Sequence, residues 1–135
     1  MKVRQGVFEA VCAHVRESYP KECCGILLAE AADLLRVTAA LRAENADQAH
    51  PESAYVLGHR AHIEAVRQEA ASKARIAGYY HSHPHGPAVP SGRDGELALE
   101  GAVYLIVGLR SHKSQVRAWR LEEGGWVSEP LEVCA

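Results

Sequence analysis

The chain has 135 residues, of which 47% are hydrophobic and 24% charged, a composition that fits one globular domain with a substantial core. Its net charge of −2 and pI near 6.4 argue against a dedicated nucleic-acid binder, which carries a basic face. No window reaches the roughly 18–20 apolar residues of a membrane span, no signal-peptide pattern follows Met1-Lys2-Val3-Arg4, and the expected compartment is the cytoplasm.

In chain order, residues 5–19 carry Val7, Val11 and Val15 at four-residue spacing, with Phe8 and Cys12 widening the stripe. This predicts an amphipathic helix ended by Pro20. Residues 23–29 form a short apolar run without alternation, the pattern of a strand covered on both faces. A turn at 30–33 and a second strand at 34–41 follow. The polar stretch 42–54, with Asn45, Asp47, His50, Pro51 and Ser53, reads as a loop leading to a short strand at 55–57. The longest helical pattern spans 59–75, with Ile63, Val66, Ala70 and Ala74 along one face and Gly78 after it.

Residues 76–83 predict a strand stopped by Pro84. A loop carrying Pro84, Gly86, Pro87 and Pro90 then leads to a short helix at 91–100. Residues 102–109 are strongly apolar and suit the middle of a sheet. Residues 115–121 and 126–133 flank Glu122-Glu123-Gly124-Gly125 and read as a hairpin. The sum is a single α/β domain over residues 1–135, a mixed β-sheet flanked by helices. Its four cysteines, Cys12, Cys23, Cys24 and Cys134, include no CxxC pair and read as free thiols.

The chemistry concentrates at residues 81–94. Side chains at i and i+2 of a strand share a face, so His81 and His83 both reach one ion beyond the strand end while Ser82 points away. The loop brings Asp94 back over them on the first turn of the next helix. Two imidazoles and a carboxylate are what a catalytic zinc takes from a protein, with one position left open. Taken alone, His-x-His is more often a surface pair, and Ser91-x-x-Asp94 is more simply a helix cap. His14, His50, His59, His62, His85 and His112 need no special role.

Hydrolysis of an amide also needs a base that passes a proton to the leaving amine. Glu22, at the mouth of the first apolar strand, is placed to be partly desolvated and so raised in pKa. The residues by themselves favour a solvated strand-end charge over this reading.

Glu22, followed by His81-x-His83-x(7)-Ser91-x-x-Asp94, resembles the JAMM (MPN+) zinc metalloprotease signature. Glu22-Cys-Cys-Gly-Ile-Leu-Leu and Gly78-Tyr79-Tyr80-His81-Ser82-His83-Pro84 resemble the segments around it. The resemblance implies that His81, His83 and Asp94 hold one zinc ion per chain, that Glu22 is general base and proton shuttle, and that Ser91 stabilises the oxyanion. It also implies the family's α/β fold, similar to that of cytidine deaminases, although the deaminase signature is absent. The compact chain resembles the short prokaryotic branch, which implies a ubiquitin-like sulfur-carrier protein as substrate, cleaved at its C-terminal tail, with cysteine released from a carrier–cysteine adduct as one form of the reaction. Three other readings stand beside it: a non-catalytic MPN-type interaction module, a zinc hydrolase of small peptides or amides, and a cysteine protease using Cys24.

Overall fold

The computed structural model describes residues 1–71, 74–110 and 114–135. The elements are β1 (Lys2–Arg4), α1 (Gln5–Ser18), β2 (Cys24–Glu30), β3 (Asp33–Ala43), α2 (His59–Ala70), β4 (Arg75–His83), α3 (Gly92–Leu97), β5 (Val103–Gly108), β6 (Gln115–Glu122), β7 (Gly125–Glu129) and β8 (Glu132–Cys134). The strands form one mixed sheet in the order β7-β6-β5-β4-β2-β3-β1-β8. β4 and β5 run parallel, whereas β2 is antiparallel to both of its neighbours, β3 and β4.

The apolar runs fall where the sequence places them, in the centre of the sheet. Ile26, Leu27 and Leu28 of β2 and Leu105, Ile106 and Val107 of β5 have no exposed surface. Burying each contributes roughly 1.5–3 kcal/mol. Alternation sorts the side chains to two layers. Leu27 and Tyr80 pack with Val11 and Val15 of α1, and Cys24, Ile26 and Leu28 pack with Ala61 and Ala65 of α2.

Several boundaries differ from the sequence reading. α2 ends at Ala70 and not at 75; Ser72 and Lys73 of that expected helix, like His112, lie outside the described residues. Its inner face is Ala61 and Ala65, while Ile63 and Val66 are exposed. Small alanines one turn apart let the helix lie close on the sheet, which turns the larger residues outward. Gly78 lies inside β4, where a Cβ would stand 2.0 Å from the Val103 carbonyl oxygen. The strand expected at 55–57 is a single bridge, Asn45 to Leu57. The last strand divides into β7 and β8 around Pro130, which has no amide to donate to a ladder. β1 was too short to carry a periodic signal and pairs in parallel with β3 and β8. No helix among the described residues is long and apolar enough to cross a membrane.

Candidate metal centre

β2 and β4 set the site by register. Cys24 pairs with His81, so the ladder delivers the end of β4 beside the start of β2. His81 is fully buried and His83 half-buried on the same face. Ser82 points the other way, as expected, and its Oγ accepts the Cys23 amide at 2.9 Å. That bond ties the coil just before β2, where Glu22 sits, to the strand bearing the histidines.

The loop after His83 is packed against the end of β5. A Cβ on Gly108 would lie 2.6 Å from the Pro87 carbonyl carbon and 2.4 Å from the Ala88 nitrogen, so only glycine admits this close approach. The Trp119 indole N–H donates to the Ala88 carbonyl at 2.9 Å. Pro87 thereby presents its carbonyl oxygen to His83 Nδ1 at 2.9 Å. In the neutral ring, an Nδ1 that donates to Pro87 turns the Nε2 lone pair of His83 to the site.

The chain then returns through Ser91 to α3. Ser91 Oγ accepts the Asp94 amide at 3.1 Å, and Asp94 Oδ2 accepts the Ser91 amide at 2.8 Å. Both arms of a capping box are present, with Asp where Glu or Gln is usual. This fixes the carboxylate. Its Oδ1 lies 3.2 Å from His81 Nε2 and its Oδ2 3.1 Å from His83 Nε2. The two Nε2 atoms are themselves 3.1 Å apart.

These separations test whether a metal fits. Ligands about 2.0 Å from a tetrahedral zinc are about 3.3 Å from one another, close to the spacing of this triad. With Nδ1 of His83 engaged by Pro87, its Nε2 is the nitrogen left for a metal, and two nitrogens and a carboxylate converge on one point. The buried Nδ1 of His81 has no partner among the described residues. The donor set, two imidazoles and a carboxylate with the rest of the site open to a cleft, fits a catalytic zinc.

Glu22 also offers an oxygen within 4.8 Å of both histidine nitrogens. Two carboxylates thus compete for the third ligand position, and their electrostatics separate them. Burial would raise Asp94, but its hydrogen bonds to His81 and His83 outweigh that and hold it well below the usual carboxylate range. Glu22 is 5% exposed. Burial pushes it up to about 7, against the partial opposition of His83. Asp94 is therefore a permanent anion, suited to hold a cation, and Glu22 exchanges a proton near neutrality. Burial lowers His81 and also works against His83, where the Asp94 and Pro87 contacts prevail and raise the pKa.

Glu22, His83 and Ser91 line one open cleft of about 400 Å³ together with Glu52, His85 and Val89. A second groove, of about 270 Å³, runs from Asp94 past Tyr55, Leu57, Tyr79 and Tyr104. Tyr55 stacks on the His81 ring with centroids 4.7 Å apart. Neither this stacking nor the groove carries a sequence signal, because Tyr55 follows an irregular loop. His85 and Glu52 face each other at 3.9 Å and are both more than half exposed, which matches a solvated loop histidine. Cys24 is fully buried and its thiol pushed up to about 12 by burial. It has no thiolate to offer, which removes the cysteine-protease reading.

Residues 4–122 match the family described as prokaryotic homologs of the JAB domain. The CysO-cysteine peptidase of Mycobacterium tuberculosis is 29% identical over 134 residues, covering 97% of this chain and 89% of that one. The desampylase of Haloferax volcanii is 35% identical over 103 residues, 73% of each chain. A solved structure described as a JAMM metalloprotease-like zinc site in the proteasome and signalosome superposes with a TM-score of 0.59 at 18% identity, covering 100% of this chain and 98% of that one, which shows a shared fold. The chain belongs to the prokaryotic homologs of the JAB domain and is a JAMM-type peptidase.

Proposed function

We propose that this chain hydrolyses the amide bond at the C-terminal tail of a ubiquitin-like sulfur-carrier protein, in the cytoplasm, using one zinc ion held by His81 Nε2, His83 Nε2 and the Asp94 carboxylate. The observation that carries the reading is the convergence of those three donors within 3.1–3.2 Å, with the proton-exchanging Glu22 at their edge. Bound there, zinc supplies a Lewis acid that polarises the scissile carbonyl and acidifies water. Glu22 takes a proton from the attacking water onto its carboxylate. As the new C–O bond forms, the Ser91 hydroxyl is free to donate to the carbonyl oxygen, since its Oγ only accepts in the helix cap. Glu22 then hands its proton to the leaving nitrogen as the C–N bond breaks. Its pKa near neutrality suits both transfers. On this reading the extended tail lies in the groove beside Asp94, along Tyr55 and Tyr104.

The carrier substrate is supported by relatives named CysO-cysteine peptidase and desampylase. The test is direct. Purified protein is analysed for zinc, then incubated with a CysO–cysteine adduct and with a carrier joined to lysine, and the products are weighed by mass spectrometry. Cleavage of either, lost on Glu22→Gln, is the expected result. Stoichiometric zinc without cleavage of either sinks the carrier reading, and absence of zinc binding sinks the metal centre.

A further inference from the structure

We propose that Asn45 is a positioning residue for Glu22: its side-chain amide locks the strap of residues 44–58 onto the Glu22 backbone and so fixes the carboxylate beside His81 and His83. The inference rests on Glu22 being the base.

Glu22 precedes β2 and has no place in its ladder, whose first paired residue is Cys24. Its backbone must find partners elsewhere, and both come from the strap. The Glu22 amide donates to the Pro51 carbonyl at 2.7 Å. The Glu22 carbonyl accepts from Asn45 Nδ2 at 3.0 Å.

Asn45 joins these to the rest of the strap. Nδ2 also donates to the Ala54 carbonyl at 3.0 Å and lies 3.4 Å from that of Pro51. Oδ1 accepts the amides of Asp47 at 3.0 Å and Val56 at 3.2 Å. One half-buried amide thus holds both ends of the loop and the backbone of the base. An Asx-turn needs only the Asp47 contact, so the three carbonyls gathered by Nδ2 exceed what turn formation requires. The strap then reaches the other parts of the site. Asp47 meets Arg93, the residue before Asp94, at 3.3 Å, and Tyr55 stacks on His81. Asn45 makes no hydrogen bond to His81, His83 or Asp94, so its removal leaves those three side chains their own partners.

Two substitutions separate its functions. Asn45→Ala removes both arms. Asn45→Asp keeps the acceptor that organises the turn and puts an oxygen where Nδ2 faced the Glu22 carbonyl. In the zinc-loaded protein, with the CysO–cysteine adduct as probe, both should lower kcat about 10²-fold, the scale of a displacement of about 1 Å. Asn45→Asp should hold KM within about threefold, because it leaves the groove wall standing. Zinc content should not change. In metal-free protein, hydrogen exchange at the Glu22 amide should quicken at least about tenfold in both variants, while the Val56 amide stays protected in Asn45→Asp. If Asn45→Ala does not fold, Asn45→Asp decides. Unchanged kcat in that variant, or unchanged exchange at the Glu22 amide, overturns the inference. Glu22→Gln, run alongside, keeps the two readings apart. Full activity there overturns Glu22 as base, and the exchange result still decides whether Asn45 holds that backbone.

Discussion

Glu22→Gln replaces a buried carboxyl with a neutral amide of the same shape and should stabilise the metal-free protein while disabling it. Burial holds Glu22 at about 7 in the folded chain, against 4.5 for the unperturbed group. Below about pH 4.5 the folded and unfolded chains both carry the proton, and Glu22 costs nothing. As pH rises from there to about 7, the unfolded chain ionises and the folded chain keeps its proton, so stability falls. Above about 7 the cost is constant. At about 1.36 kcal/mol per pH unit it amounts to about 3 kcal/mol. Glu22 is 5% exposed, so solvent screening removes little of this. Gln has no proton to lose. The variant should therefore melt on the order of 10 °C above wild type near pH 8 and together with it near pH 4.5. Zinc, by favouring the ionised carboxylate, should shrink the gap. The assay is calorimetry of chelator-treated protein across that pH range, paired with cleavage rates, which should fall by about 10²–10⁴. A variant less stable than wild type near pH 8, or a gap that does not change with pH, would refute the argument.

Asp94→Asn should abolish stoichiometric zinc binding, read by elemental analysis, while the chain stays folded; full zinc occupancy would exclude Asp94 as a ligand. Ser91→Ala should cost about 1 kcal/mol through loss of the α3 cap and about 10²–10³ in rate, with zinc content unchanged; a purely structural Ser91 would show the first effect without the second. Gly108→Ala forces a Cβ into the Pro87–Ala88 backbone. It should push that loop off β5, break the His83 Nδ1–Pro87 contact and weaken zinc binding by about 10–100-fold, the usual loss for a partner that orients a metal ligand; unchanged affinity would show that the loop yields without disturbing His83.

Much of the fold was legible because its signals are local. Val7, Val11 and Val15 recur with the period of a helix, and Val11 and Val15 do face the sheet. The uninterrupted runs at 23–29 and 102–109 mark strands buried on both faces, which are the inner strands β2 and β5. The hairpin at Gly124-Gly125 follows from residues that adopt positive φ. Where the signal was not local, the reading failed. The pattern at 59–75 puts Ile63, Val66, Ala70 and Ala74 on one inner face, but the sheet takes Ala61 and Ala65 and leaves Ile63 and Val66 outside.

By itself the sequence determined which groups could do chemistry here. The i, i+2 spacing of His81 and His83 commits both rings to one face of a strand, and Ser91-x-x-Asp94 commits the carboxylate to a helix start. Glu22 alone reads as a solvated strand-end charge, and the resemblance to the JAMM signature favours it as the base instead. Only the tertiary structure gives the two carboxylates different electrostatics. Asp94 lies against two ring nitrogens and is held ionised, whereas Glu22 is buried without a fixed cation and keeps its proton to near neutrality. Nor does spacing reveal that Asn45 gathers the backbone of Glu22, or that Gly108 makes room for the loop that orients His83. Those contacts join residues far apart in the chain, and desolvation and hydrogen-bond geometry exist only once the chain has closed around them.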